Sequence, residues 1–251
     1  MGANFINSCL EQIAKSFKLK IDGDKKFSDT DKKIDIVMSI MSNYAPNCLA
    51  RAQVRCPIKK LGNQNGMKPK YFSKKIIQAI EIAENEPYRA VTHNKGIMNG
   101  VDAVLIATGN DFRAVEAGIH SYAARNGKYS SLTFAYEEKD DFIFEIKIPI
   151  AIGTVGGLTS IHPLVKWSLE LLGNPSSSEL MQIIAAVGLS QNFGALKSLV
   201  TSGIQIGHMK MHLLNILNQN NATQKQKIKA IEFFKNKLVT HSEVKNFLKS
   251  N

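Results

Sequence analysis

The sequence predicts a helix-rich α+β fold, and three observations carry that reading. Phe5, Ile6, Cys9, Leu10, Ile13 and Phe17 recur every three or four positions, the period of one helix face. Between Tyr129 and Ile150 the period drops to two. After Pro163 the helical spacing returns and persists to the end of the chain.

Each element follows from local chemistry. The polar stretch DGDKKFSDTD ends the first helix and separates it from the apolar run Ile34–Met41. A second helix spans Ser73–Glu84, with Ile76, Ile77, Ile80 and Ile82 on its pattern and a stop near Pro87. A β-hairpin is expected next, in which Leu132, Phe134 and Tyr136 face Phe142, Phe144 and Ile146 across the acidic turn Glu137–Asp141. Pro175 and Ser176–Ser178 open a long helix at Glu179, and the polar break at Thr201–Gly203 reads as a hinge before a helical tail.

At 251 residues, with 44% hydrophobic and 21% charged residues, the chain can bury a real core, which excludes disordered, collagenous and coiled-coil classes. The formal charge is +11, and the last 33 residues carry seven Lys against two Glu. Such a balance suits phosphate-bearing ligands, while the tail lysines read as the wet face of terminal helices. Nucleic acid is not an expected partner, because the tail lacks Arg and its Phe233, Phe234 and Phe247 sit at helical core spacing. Cys9, Cys48 and Cys56 are too few and too irregular for a disulfide framework or a zinc centre, so reduced thiols in the cytoplasm are expected. The most apolar stretch, Ile148–Leu164, is too short and interrupted to span a bilayer, and no membrane partner is expected.

Three clusters could carry chemistry. From Arg89 to Asp111, RAVTHNKGIMNGVDAVLIATGND, the glycines Gly96, Gly100 and Gly109 stand where a helix prefers Ala, at a cost of about 0.5–1 kcal/mol each. Beside Lys95, Asn94, Asn99, Asn110 and Asp111 they suggest close backbone approach to something. Gly153-Thr154-Val155-Gly156-Gly157 lacks the GxGxxG spacing of a dinucleotide loop and reads as a tight strand-to-helix connection. In GIQIGHMKMH the pair His208 and His212 has the spacing of a zinc helix, but Met209 holds the general-base position and no third ligand lies nearby in sequence.

THNKGIMNG followed by ATGND, AIGTVGG followed by HPL, AAVGLSQNFGALKSL and GIQIGHM occur in that order. Together they resemble the class II, bacterial-type 3-hydroxy-3-methylglutaryl-CoA (HMG-CoA) reductase family, over nearly the whole span from Met1 to about Leu217. The resemblance implies a thioester reduced to an alcohol in two hydride steps, with two NADH or NADPH consumed and mevalonate and coenzyme A released, or the reverse. Residue by residue it implies Lys95 as the catalytic ammonium, Asp111 as the carboxylate beside it and His208 as the proton donor to the departing thiolate. It further implies Arg89 on the substrate carboxylate, Asn99 and Asn43 as active-site asparagines, and Gly2 and Asn4 of MGANFIN on the cofactor. No metal is implied.

The family's architecture makes residues 1–42 the remnant of a small ferredoxin-like dinucleotide domain. It makes 43–200 the substrate-binding core and 201–251 a C-terminal flap that closes His208 over the site. Its active sites form at a subunit interface, so a homodimer or larger assembly is expected. Two departures stand out: Ile206 replaces a basic or polar residue, and no E-N-x-x-G segment, source of the family's general-acid glutamate, occurs in these 251 residues. The chain is therefore expected to be the C-terminal portion of a reductase with little activity alone. The alternative is an inactive remnant serving as a dimerisation or ligand-binding module.

Overall fold

The computed structural model describes residues 2–234, 237 and 239–250, with residues 204–211 described by their helical backbone only. The chain opens with helix α1, Ala3–Gly23, as its apolar period requires. Its stripe is nevertheless not buried: Phe5 is 74% and Phe17 52% exposed, and Ile21 is the helix's buried residue. Residues 34–41 then form neither helix nor strand, and Val37, Met38 and Ile40 are exposed.

Strand β1, Leu49–Pro57, lies beside β3, Asp141–Pro149, which in turn pairs with β2, Thr133–Glu138, giving an antiparallel sheet in the order β1-β3-β2. Strand β1 has no counterpart among the elements expected from sequence. The β2–β3 hairpin forms, but its register differs from the expected one. Phe134 lies opposite Glu145 and Tyr136 opposite Ile143, while Thr133 and Ala135 face Ile146 and Phe144. Lys139, with φ of +56°, and Asp140 make a two-residue loop instead of a five-residue turn. The tighter loop moves β2 by one position, and a one-residue change turns every side chain to the other face. Burial on both faces of β3, where Phe142, Ile143 and Phe144 are all buried, hides this from the alternation.

Helix α2, Pro69–Asn85, and α3, Pro87–Ala107, are divided at Glu86, whose side chain accepts from Tyr88 N to cap α3. Helix α4, Phe112–Ala123, follows a sharp turn. After β3 the short α5, Leu158–Ile161, and α6, Pro163–Leu171, lead to α7, Ser177–Val200, which starts two residues earlier than expected on a Ser176–Glu179 capping box. Helix α7 is apolar and long enough to cross a bilayer by length and composition, yet it packs on α3, α2 and the sheet. Ile97, Val101 and Leu105 of α3 meet Ile184, Leu189 and Leu196 of α7 and Phe144, Ile146 and Ile148 of β3 in one core. Beyond Gly203, helices α8, Ile204–Gln219, α9, Gln224–Phe233, and α10, His241–Ser250, enclose a second cluster of Leu213, Ile216, Leu217, Ala230, Phe234, Val244 and Phe247.

Candidate active site

Helix α3 is the spine of the site, and its glycines explain where it sits. A Cβ on Gly100 would lie 2.9 Å from the Val187 carbonyl oxygen, and one on Gly188 would lie 2.9 Å from Val101. The close approach that these glycines permit is therefore to α7 rather than to a ligand. Gly109 serves the backbone in another way. At φ +68° it ends α3 in the left-handed region, and Asn110 N donates to the Leu105 carbonyl.

The THNKG segment is fixed by a buried polar network. His93 is 2% exposed, and its Nε2 lies 2.6 Å from Thr133 Oγ1, which donates to Asn192 Oδ1 at 3.1 Å. Asn192 Nδ2 donates to the His93 carbonyl, while Asn94 donates to the Ser130 carbonyl and accepts from Leu132 N. Helix α3 is thereby tied to α7 and to the start of β2 immediately before Lys95. Burial, and next the nearby Arg89 charge, hold the His93 imidazole far down at about 3, so it is neutral at working pH. Its Nδ1 is buried without a hydrogen-bond partner among the described residues.

On this pinned helix Lys95 and Asn99 are exposed, four residues apart and so on one face. Lys95 makes no ion pair or hydrogen bond among the described residues. Arg89 is half-buried, burial pushes its pKa down, and no acid pairs with it among the described residues. A guanidinium held partly out of water without a counter-ion is a ready receptor for a carboxylate.

Asp111 occupies the other end of α3. Its Oδ1 caps α4 by accepting from Arg113 N at 3.1 Å and Ala114 N at 3.2 Å, and it pairs with Arg113 Nε at 3.5 Å. A cavity of about 290 Å³ opens beside it, bordered by Gly2, Asn43, Cys48, Asp111, Gly118 and Ile152 among others. The Asn43 carbonyl comes so close to α4 that a Cβ on Gly118 would sit 2.9 Å from it. Asn4 is exposed in the first turn of α1 and does not border the cavity. Asn110 Oδ1 accepts from Gly153 N at 3.0 Å, which fixes the GTVGG connection against the end of α3.

Three predicted residues, Asp111, Asn43 and Gly2, thus share one cavity, and Lys95, Asn99 and Arg89 share one helix. The two groups do not meet within a chain. Lys95 precedes Ala107 by twelve residues, about 18 Å of helix axis at 1.5 Å per residue, and Asp111 stays at the far end because the chain turns back at Gly109. The expected Lys95–Asp111 ion pair is accordingly absent among the described residues. His208 lies on α8, and its side chain is outside the described residues, as is the role expected of Ile206. Sequence reasoning missed the Asn110–Gly153 tie, the His93–Thr133–Asn192 network and the facing carboxyls of Asp102 and Glu116 between α3 and α4. The clustering of Asn and His in THNKG and ATGND was the available signal, but it did not say which of them turn inward. Among the described residues no three His, Cys, Asp or Glu side chains could hold a metal.

A helix-rich α+β chain with a lysine-bearing central helix and a separate carboxylate-lined cavity has close counterparts. The family model for hydroxymethylglutaryl-coenzyme A reductase matches residues 1–213. The chain is 40% identical over 232 residues to the 3-hydroxy-3-methylglutaryl-coenzyme A reductase of Archaeoglobus fulgidus, a match covering 92% of this chain and 49% of that protein. It is 36% identical over 248 residues to a probable reductase of Borreliella burgdorferi, covering 98% of this chain and 53% of the other. A solved 3-hydroxy-3-methylglutaryl-coenzyme A reductase from Streptococcus pneumoniae superposes with a TM-score of 0.72 at 36% identity, over 99% of this chain and 57% of that one. The class II enzyme of the same organism, bound to NADPH in open conformations, gives 0.71 at 40% identity, over 80% of this chain and 52% of that one. The chain belongs to the hydroxymethylglutaryl-coenzyme A reductase family. It spans about half the length of the curated relatives it matches.

Proposed function

We propose that this chain supplies the lysine, aspartate and histidine of an HMG-CoA reductase whose active site is completed across a pair of chains. The observation that carries the reading is Lys95: an exposed ammonium with no ion pair among the described residues, on a helix pinned by buried hydrogen bonds, in a chain of this family. An ammonium fixed in this way stabilises the negative charge that grows on a thioester oxygen as hydride arrives. Arg89 grips the distal carboxylate of the substrate with its fork, and Asn99 orients the acyl group from the same face as Lys95. His208 protonates the leaving thiolate, a role suited to an imidazole. Asp111 keeps the ammonium charged and directed, and since the two are separated in one chain, the Lys95 it serves belongs to a second copy. A homodimer, or a larger assembly of dimers, follows from that separation.

The reading assigns residues 1–42 to the small cofactor domain, 43–200 to the substrate core and 201–251 to the flap. It places the protein in the cytoplasm, where the three free thiols stay reduced. The small cavity beside Asp111, near the lower end of ligand-pocket sizes, fits the nicotinamide end of a dinucleotide rather than the whole molecule. Gly2, Asn43 and Asp111 are the residues that would hold that end, while Asn4, outside the cavity, would meet a more distant part of the cofactor. Bound there, NADH or NADPH supplies the hydride.

The test is oxidation of NADH or NADPH on addition of HMG-CoA. The chain alone should show little turnover, since no E-N-x-x-G segment is present. Co-expressed with the part of the Archaeoglobus fulgidus reductase that this chain does not match, it should gain activity that Lys95→Ala lowers by a factor of about 10²–10³. A folded complex with no HMG-CoA-dependent oxidation, or with an unchanged rate in Lys95→Ala, would reject the proposal in favour of an inactive binding module.

A further inference from the structure

We propose that His212 and His241 form a surface site for a divalent transition-metal ion of the zinc, nickel and copper group, tying α8 to α10. Spacing alone offers no third ligand near the His208–His212 pair. Folding instead brings His241, the first residue of α10, against His212 on α8, with ring centroids 6.4 Å apart and planes inclined at 72°. Both residues are exposed, so their ring nitrogens can shed water and take a metal.

The frame that holds them is rigid where it matters. Leu213, next to His212, and Val244, three residues beyond His241, are buried in the same cluster with Phe234 and Phe247. The two backbones are therefore fixed by packing, and only side-chain torsions remain to be ordered on binding. An ion about 2.0–2.1 Å from one nitrogen of each ring bridges them once side-chain rotation brings the rings closer than their 6.4 Å separation. The nearby Glu243 carboxylate accepts from Thr240 Oγ1 and completes the cap of α10, so the two imidazoles form the donor set and water fills the remaining positions. Nitrogen donors of this kind favour copper, nickel and zinc and ignore magnesium and calcium. The proposal is independent of the reductase reading. Its consequence for that reading is that a bound ion would fix α10 on the helix where His208 lies.

Calorimetric titration of the full chain with Ni²⁺, up to about 1 mM, tests the site. One ion per chain is expected. His212→Ala and His241→Ala should each weaken binding by about tenfold or more, and the double variant should lose little beyond either single one, because a lone imidazole holds the ion poorly. Mg²⁺ should give no binding heat. Both positions are exposed, so far-UV circular dichroism should report an unchanged fold in the variants. Equal Ni²⁺ binding by wild type and the folded double variant, or no binding by wild type, would overturn the site.

Discussion

His93 shows how one residue links the site to stability. Its pKa is about 3 in the fold, against about 6.5 in an unfolded chain. Between those values the unfolded chain binds a proton that the folded one refuses, so stability is lost as pH falls below 6.5. The loss approaches ~1.4 kcal/mol per pH unit, and His93→Gln, which cannot titrate, should flatten this slope in urea unfolding between pH 6.5 and 4. Asp102 has the opposite sign. Its carboxyl is pushed up to about 6, by burial first and then by the Glu116 carboxylate facing it. The folded state holds a proton there that the unfolded state has released, so stability is lost as pH rises through about 6. Asp102→Asn should therefore stabilise the chain at pH 8 by about 1 kcal/mol, the group being only half-buried and partly screened by solvent, with the gain vanishing toward pH 4. A gain of the same size at both pH values would show that repulsion with Glu116 is not its source.

Helix α3 shows what spacing reveals about an element and what it conceals. The three glycines were legible as a cost to the helix, and the cost does mark close approach, but sequence spacing does not name the partner. The crossing with α7 sorts them. Gly100 and Gly188 have no room for a methyl group, whereas a Cβ on Gly96 would make only ordinary contacts, at 3.9 Å, with Ala195 and Asn192. Gly100→Ala should thus destabilise by about 1–3 kcal/mol through overpacking, while Gly96→Ala should stabilise by about 0.5–1 kcal/mol through helix propensity. Thermal unfolding of the two variants would separate these effects, and equal shifts would mean that the crossing is looser than the backbone distances imply. The hairpin carries the same lesson. Alternation located both strands, but the two-residue loop at Lys139 and Asp140 sets the register, and alternation does not fix the length of that loop. Strand β1 escaped notice because Arg51, Gln53 and Arg55 alternate on a solvent face tied to Glu145, Glu138 and Asp141, leaving little apolar signal.

At the scale of the whole molecule, the family was legible as ordered strings of residues. The distance between Lys95 and Asp111 was not legible: it depends on where α3 ends and how the chain turns at Gly109. The division into two hydrophobic clusters was only hinted at by the polar break at Thr201–Gly203. The first cluster is built on α3, α7 and the sheet, and the second lies wholly within α8, α9 and α10. Clusters that share no buried side chain should open separately. Phe247, packed on Phe234 with centroids 5.8 Å apart, belongs to the second cluster alone. Truncating it to Ala removes about 3–5 kcal/mol of packing from a unit of three short helices. Amide hydrogen exchange in Phe247→Ala should therefore accelerate strongly at Ile216, Leu217 and Ala230, while Ile97, Val101 and Leu189 keep wild-type protection. Equal acceleration in both clusters would mean that the chain unfolds as one cooperative body, and the C-terminal helices could not then move over the site while the core stays folded.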